Sequence, residues 1–281
     1  MTVIQINKKG RASMLRCRKR DSVKGRRLRP RRVAGSLLIA IGLTVVLPAV
    51  KAAPPMSIYR AAVEADDRPE EDTKRDANRK PELMLEFSGI KHGDKIGELG
   101  AFRGYYTRIL SHVVGPNGKV YAFNPDEYRN STLAKGIEAM SSEPGHENIV
   151  SLTAPVEALN FPSNLDMVWN TNNYHDFYFV RPGEGGIVAE NVDRLIFEAL
   201  KPGGIYFITD HSAVEGSDLD GVEYHRIDEA VVKRNVLKVG FQFVEGSDIL
   251  RNPDDPRDVM IFDESVSGKT DQFVLKFRKP E

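Results

Sequence analysis

The sequence predicts an α/β chain built on a doubly wound, mostly parallel sheet, and three observations carry that prediction. Short apolar runs alternate with segments of helical period from Asp94 to the C-terminus, the pattern of strands joined by crossover helices. The run Ile96–Leu99 passes through Gly100 and Gly104 into a segment with Tyr105, Ile109 and Val113 at helical spacing. Strand, glycine turn, helix is how open α/β sheets build a ligand site, with free N–H groups at the helix start. Turn clusters at Gly115-Pro116-Asn117-Gly118 and Lys201-Pro202-Gly203-Gly204 separate the next elements.

Taken from its start, the chain opens on a segment unlike the rest. Residues 1–52 hold 14 of the 40 Lys and Arg and one acid, Asp21, which leaves 26 basic and 39 acidic side chains in residues 53–281. So acidic a body is a poor phosphate-backbone binder, and no nucleic-acid partner is expected. The basic stretch Lys8–Arg32, the apolar run Val33–Val50 and the small residues ending at Ala52 read as a signal peptide over residues 1–52. Export, to a bacterial periplasm, is therefore expected. An uncleaved anchor is the alternative, because residues 33–50 are long enough to cross a bilayer; membrane contact would then run through this segment alone. Arg31-Arg32 fits a twin-arginine signal poorly, and Met14 offers a second start. Cys17 is the only cysteine and lies inside this segment, so the mature chain is expected to have no disulfide and no thiol nucleophile.

Residues 53–80 read as a polar linker or N-terminal arm, with Asp72–Arg79 its best helical stretch and no visible chemistry. Residues 81–281 read as one domain. Pro81 opens a short amphipathic helix (Leu83, Met84, Phe87) that ends near Gly89. After the glycine turn, Lys119–Phe123 is the second strand, parallel to the first through a right-handed crossover. Ser131–Met140 is helical, Ile149–Leu152 is the third strand and Leu165–Trp169 the fourth. Gly185–Leu200 reads as a helix, Ile205–Thr209 as the fifth strand, and a further helix reaches Val239 with Gly240 as its cap. Phe241–Glu245 is the sixth strand and Gln272–Phe277, with strict period two, the last. The Pro/Asp loop Arg251–Asp258 either folds over the site or merely connects.

In a doubly wound sheet, ligands sit at the C-terminal ends of the strands. Glu98, an acid at the end of the first strand, suits a ligand with hydroxyl and amino groups better than one led by phosphates. The fourth strand runs into N-T-N-N-Y-H-D-F and the fifth into D-H-S-A, the segments richest in chemistry. His175 could serve as a general base oriented by Asp176 or a neighbour, or simply as a structural hydrogen-bonding group. His175, Asp176, Asp210, His211 and His225 could also converge on one edge as divalent-ion ligands. No tight ligand spacing supports that, and no metal is expected.

The motifs E-L-G-A-F-R-G-Y-Y-T, V-Y-A-F-N-P, N-Y-H-D, L-K-P-G-G, D-H-S-A, H-R-I-D and G-K-T-D-Q-F-V-L-K-F-R-K-P span Pro81–Pro280. Together they resemble a family of exported bacterial proteins identified as class I S-adenosylmethionine (SAM) methyltransferases. The resemblance implies a seven-stranded sheet of the class I methyltransferase type with an antiparallel last strand. It implies SAM as cofactor and methyl transfer to an acceptor expected to be a small molecule. It assigns Glu98, Gly100, Gly104 and Tyr105 to the cofactor pocket, Asn124 to the ribose, and His175, Asp210 and His211 to catalysis in the acceptor site. The sequence departs from the family pattern at Phe102, in place of the middle glycine, at Asn124, in place of the ribose-binding acid, and at Thr153-Ala154, in place of the adenine-binding acid. Those departures leave a second function open: a non-catalytic or altered-ligand binding protein on the same fold.

Overall fold

The strand β1 (Lys95–Leu99) carries only two charged residues, Lys95 and Glu98, because it lies inside a sheet; its last four residues are all buried. The computed structural model describes residues 56–126, 131–178 and 189–281. The signal or anchor expected at 1–52 and the helix start at Gly185 lie outside the described residues. β1 pairs in parallel with β2 (Lys119–Pro125) and β4 (Leu165–Thr171). With β3 (Ile149–Ala154), β5 (Leu200–His211), β6 (Gln242–Ser247) and β7 (Gln272–Arg278) the sheet runs β3-β2-β1-β4-β5-β7-β6. β7 is antiparallel to both its neighbours, as the resemblance implied. Successive crossovers leave β1 in opposite directions, so a crevice opens where the strand order reverses, between β1 and β4.

Lys201–Gly204 does not precede the fifth strand but lies inside it. Leu165 pairs with Leu200 and Met167 with Ile205, so the four residues bulge against Asp166 alone.

Helices α4 (Pro81–Ser88), α5 (Tyr105–Val114) and α6 (Thr132–Met140) cover one face of the sheet; α7 (Ala189–Ala199) and α8 (Glu229–Val239) cover the other. Proline at its first turn and Gly89 at φ 75° bound α4. Its buried stripe is Met84 and Leu85, with Leu83 48% exposed, one position round from the expected face. Among the described residues no helix is long and apolar enough to cross a membrane.

The segment expected to be partly linker is helical: α1 (Ile58–Val63), α2 (Glu70–Thr73) and α3 (Asp76–Arg79). Ser57 caps α1 by accepting from Arg60 N, Ala62 is buried, and Tyr59 Oη donates to Ile90 O at 2.8 Å. Arg68, 1% exposed in its side chain, binds both carboxylate oxygens of Asp76 at 2.7 Å. That bidentate pair fixes α3 against the strand ends, where its arginines meet the site.

At the opposite rim of the crevice a buried arginine holds the Pro/Asp loop down. Arg226 binds Asp255 through two bonds at 2.9 and 3.0 Å, and donates to Ser212 O and Val259 O. Both side chains are fully buried. The loop at Arg251–Asp258 is therefore pinned to the end of β5. Substituting Met for Arg226 strands a buried carboxylate and is expected to cost about 3–5 kcal/mol. The loss is read as a lower urea midpoint at unchanged slope; adding Asp255→Leu should recover part of it.

Candidate active site

The turn after β1 holds three residues in the left-handed region: Gly100 at φ 70°, Phe102 at 46° and Gly104 at 87°. A Cβ at Gly100 would lie 1.7 Å from Asn173 Nδ2, which itself donates to Leu99 O. A Cβ at Gly104 would lie 2.4 Å from Met140 Cε, so this glycine serves the packing of α5 on α6. It shapes the turn and does not line the cavity. Asn124, expected at the ribose, is also engaged elsewhere. Its Oδ1 accepts from Phe102 N at 2.6 Å and its Nδ2 donates to Phe102 O at 3.3 Å. The amide clamps a non-glycine residue in a conformation L-residues disfavour, which couples two of the sequence's departures.

A cavity of about 360 Å³ opens on this turn at the ends of β1 and β4. Of the expected cofactor residues, Glu98, Gly100 and Tyr105 line it. Glu98 pairs in register with Trp169 across β1 and β4, so acid and indole share one wall. Thr107 Oγ1 donates to Glu98 Oε2 at 2.6 Å. Burial pushes the Glu98 carboxyl up to about 7 against the opposing pull of Thr107. Trp169 Nε1 and Thr171 Oγ1, buried in the same wall, have no hydrogen-bond partner among the described residues. An aromatic row backs them: Tyr106 stands 5.1 Å from Trp169, which stacks on Phe207 at 4.2 Å.

Sequence reasoning missed the cationic side of the cavity. Arg79 and Arg75 come from residues 53–80, whose charge looked merely solvated; their guanidinium groups sit 4.5 and 5.0 Å from the Tyr105 ring centre. The signal available was indirect: an Arg-rich run just before a helix with Pro at its first position. A second cavity of about 300 Å³ shares Arg75, Arg79, Asn172 and His211 with the first. Lys74, Lys269 and Phe262 also line it, and no carboxylate does.

Of the three residues expected in the acceptor site, His211 alone lines these cavities; His175 and Asp210 lie behind it, 2% and 0% exposed. Asp210 accepts from His175 N at 2.8 Å, His175 Nδ1 at 2.7 Å and His211 N at 2.7 Å. Burial favours the protonated acid, yet the histidine partners outweigh it and hold Asp210 below the usual carboxylate range. For His175 burial favours the neutral ring, but Asp210 and then Asp176 hold it above its ordinary value. His211 bonds Thr270 Oγ1 through Nδ1 at 2.6 Å, and burial drives it down to about 3. At neutral pH it is an uncharged hydrogen-bonding group. The carboxyl and imidazole groups on the two cavity walls are thus Glu98 and His211, and neither is a strong base.

No protein-family model matches the chain. Its sequence is 27% identical over 159 residues to the ubiquinone/menaquinone biosynthesis C-methyltransferase UbiE of Erwinia tasmaniensis, covering 54% of this chain and 59% of that one. It is 28% identical over 126 residues to a protein-L-isoaspartate O-methyltransferase of Methanosarcina mazei, covering 45% and 44%. The chain spans about half the length of these curated relatives. Among solved structures it resembles a SAM-dependent methyltransferase from Aquifex aeolicus, with TM-score 0.55 and 19% identity over 80% of this chain and 99% of that one. It equally resembles the [4+2]-cyclase SpnF, with TM-score 0.55 and 14% identity over 77% and 86%. The fold is that of class I methyltransferases, and the sequence relatives are methyltransferases.

The buried acid of this site makes a stability prediction. Between about pH 4.5 and about 7 folded Glu98 keeps a proton that the unfolded chain releases, so stability falls as pH rises through that window. Above pH 7 the ionised carboxylate costs on the order of 3 kcal/mol. Glu98→Gln keeps the shape without the charge. Its melting temperature should exceed that of the parent chain at pH 8 and match it near pH 4; equal melting temperatures at pH 8 would contradict the raised Glu98 value.

Proposed function

We propose that the chain is a SAM-dependent methyltransferase acting on a small acceptor that carries an anionic group. One observation carries this reading: Glu98, Trp169 and Thr171 line one cavity at the strand switch point, and the buried Trp169 Nε1 and Thr171 Oγ1 have no hydrogen-bond partner among the described residues. Unmet hydrogen-bonding capacity in a small-molecule-sized cavity at this place in the fold is what a polar cofactor satisfies. The residues fit SAM. Glu98 would receive its hydroxyl or amino groups, Trp169 and Thr171 would take up remaining polar contacts, and the Gly100 turn would let main chain approach. Bound SAM supplies an electrophilic methyl group.

The chain's own residues then position the acceptor. The second cavity, adjoining the first through His211 and Asn172, carries Lys74, Arg75, Arg79 and Lys269 with no carboxylate, which supports an anionic small molecule. Neutral His211 orients it by hydrogen bonding rather than by taking a proton. Much of the rate in such a transfer comes from alignment.

A non-catalytic or altered-ligand binding protein on this fold is the second reading; it rests on Phe102 and Asn124 in motif positions, and the methyltransferase relatives do not favour it. Export also belongs to the proposal: it rests on residues 1–52, and fractionation of cells expressing the full chain tests it, a cytoplasmic product of unchanged length counting against it.

Calorimetry with SAM and S-adenosylhomocysteine on the full chain is expected to give one site of micromolar affinity. No binding up to millimolar ligand defeats the cofactor assignment. Thr171→Val should leave stability unchanged or higher, since the lost hydroxyl has no partner, yet weaken SAM by about 2- to 10-fold. Glu98→Gln should weaken it by roughly 10- to 100-fold. Phe102→Gly relieves the left-handed strain and clears the wall, and should tighten it.

A further inference from the structure

Two clusters of histidine and carboxylate stand out among the described residues, one at the strand-end edge and one remote from it. They have the same composition and different physics. In the remote cluster Asp67 sits 2.9 Å from His112 Nε2 and 2.6 Å from His146 Nε2, which are hydrogen-bond lengths. Arg108 is already there, 3.1 Å from His146 Nε2 and 3.4 Å from Asp67. A cation is in place, and a second would be repelled.

The edge cluster is His175, Asp176 and His225. His175 Nε2 is 3.2 Å from His225 Nδ1 and 3.3 Å from Asp176 Oδ1, and His225 Nδ1 is 3.5 Å from Asp176 Oδ1. The three atoms form a nearly equilateral triangle. Ligands held about 2.0–2.1 Å from a tetrahedral ion stand about 3.3–3.4 Å apart, whereas charge-assisted hydrogen bonds close to about 2.7–2.9 Å. Among the described residues, the ion pairs of Asp176 are with the two histidines.

The tautomer is set for ligation as well. Asp210 accepts the proton on His175 Nδ1, which leaves Nε2 with its lone pair turned to the triangle. A buried carboxylate behind a ligating imidazole orients the ring and raises its basicity toward a cation. His225 is fixed from the backbone, at φ 56° after the turn Val222–Tyr224, and its ring lies 5.7 Å from Phe262 of the second cavity.

We propose that His175 Nε2, Asp176 Oδ1 and His225 Nδ1 form a binding site for a divalent ion of the zinc class, with Asp210 as the positioning residue behind His175. Two imidazoles and one carboxylate suit Zn²⁺ and leave a fourth position for water or an acceptor oxygen. The site adjoins the proposed acceptor cavity but does not depend on SAM binding, so the two assignments fail separately.

The test is titration of untagged full-length protein with Co²⁺, followed by visible absorption, and competition by Zn²⁺. A 1:1 tetrahedral cobalt spectrum lost to zinc is expected, with a melting temperature that rises in zinc. His225 lies in a surface turn, so His225→Ala should fold normally; it should weaken the ion beyond the roughly 100-fold that a supporting residue accounts for. Asp210→Asn should weaken it by roughly 10- to 100-fold, and His112→Ala should change nothing. No cobalt spectrum up to millimolar ion, or binding that survives His225→Ala and is lost in His112→Ala, overturns the site.

Discussion

One buried carboxylate sets the geometry of the strand-end edge. Asp210 is wholly removed from water, a position that costs several kcal/mol unless hydrogen bonds replace the lost hydration. Three N–H groups do so, two from His175 and one from the His211 main chain. These bonds join the end of β5 to the turn after β4, and they dictate where both histidines point. His175 is held with Nδ1 inward and Nε2 toward Asp176 and His225, while His211 is turned to the cavities and Thr270. N-Y-H-D and D-H-S-A are two halves of one hydrogen-bond set. Asn173 adds a bond to Leu99 O beside Gly100, and Tyr174 donates to Asp193 at 2.6 Å.

The rest of the crevice is built by the same means from further away. Arg226, next to His225, spends its guanidinium on Asp255 and two carbonyls, which fixes the loop that walls the second cavity. Arg68 on Asp76, with Asp76 also accepting from Tyr105 Oη at 2.6 Å, fixes α3 and its arginines over the first. Both devices are bidentate arginine pairs. The geometry is rigid in a way single surface ion pairs cannot supply.

The fold was legible in the sequence because it is written in periodicity: apolar runs of strand length, helices with one apolar stripe and glycine at the turns. Strand order and the antiparallel β7 came only with the family resemblance, since no local pattern encodes pairing partners. The site was half legible. Of the residues that strand position and the resemblance pointed to, Glu98, Gly100, Tyr105 and His211 line the first cavity. Gly104 and Asn124 do their work inside the turn, and His175 and Asp210 sit one layer behind the wall, distinctions that depend on side-chain direction. Arg75 and Arg79 were illegible because helices as short as α2 and α3 leave no periodic trace, and their charge resembles that of a linker. The convergence of His175, Asp176 and His225 on one edge was legible as an option, but not their near-equilateral spacing, because His175 and His225 meet across 50 positions of sequence.

The fold by itself leaves the chemistry undecided, since one chain that shares it is a cyclase. What separates a ligand site from a structural core here is the accounting of buried polar groups. Asp210 and Glu98 occupy equivalent places, each buried near the end of a strand. Asp210 has three donors and is held below the usual carboxylate range; Glu98 relies on Thr107 and is pushed up to about 7. The acid rich in hydrogen bonds faces the interior, and the acid poor in them lines the cavity. Trp169 and Thr171 line it too, and Trp169 Nε1 and Thr171 Oγ1 have no partner among the described residues. A structural role would have been served by an apolar residue at each of these positions, at lower cost to stability. Two of the buried polar atoms left without partners belong to residues of this wall, and that, more than the glycine turn, is what supports the proposed cofactor site.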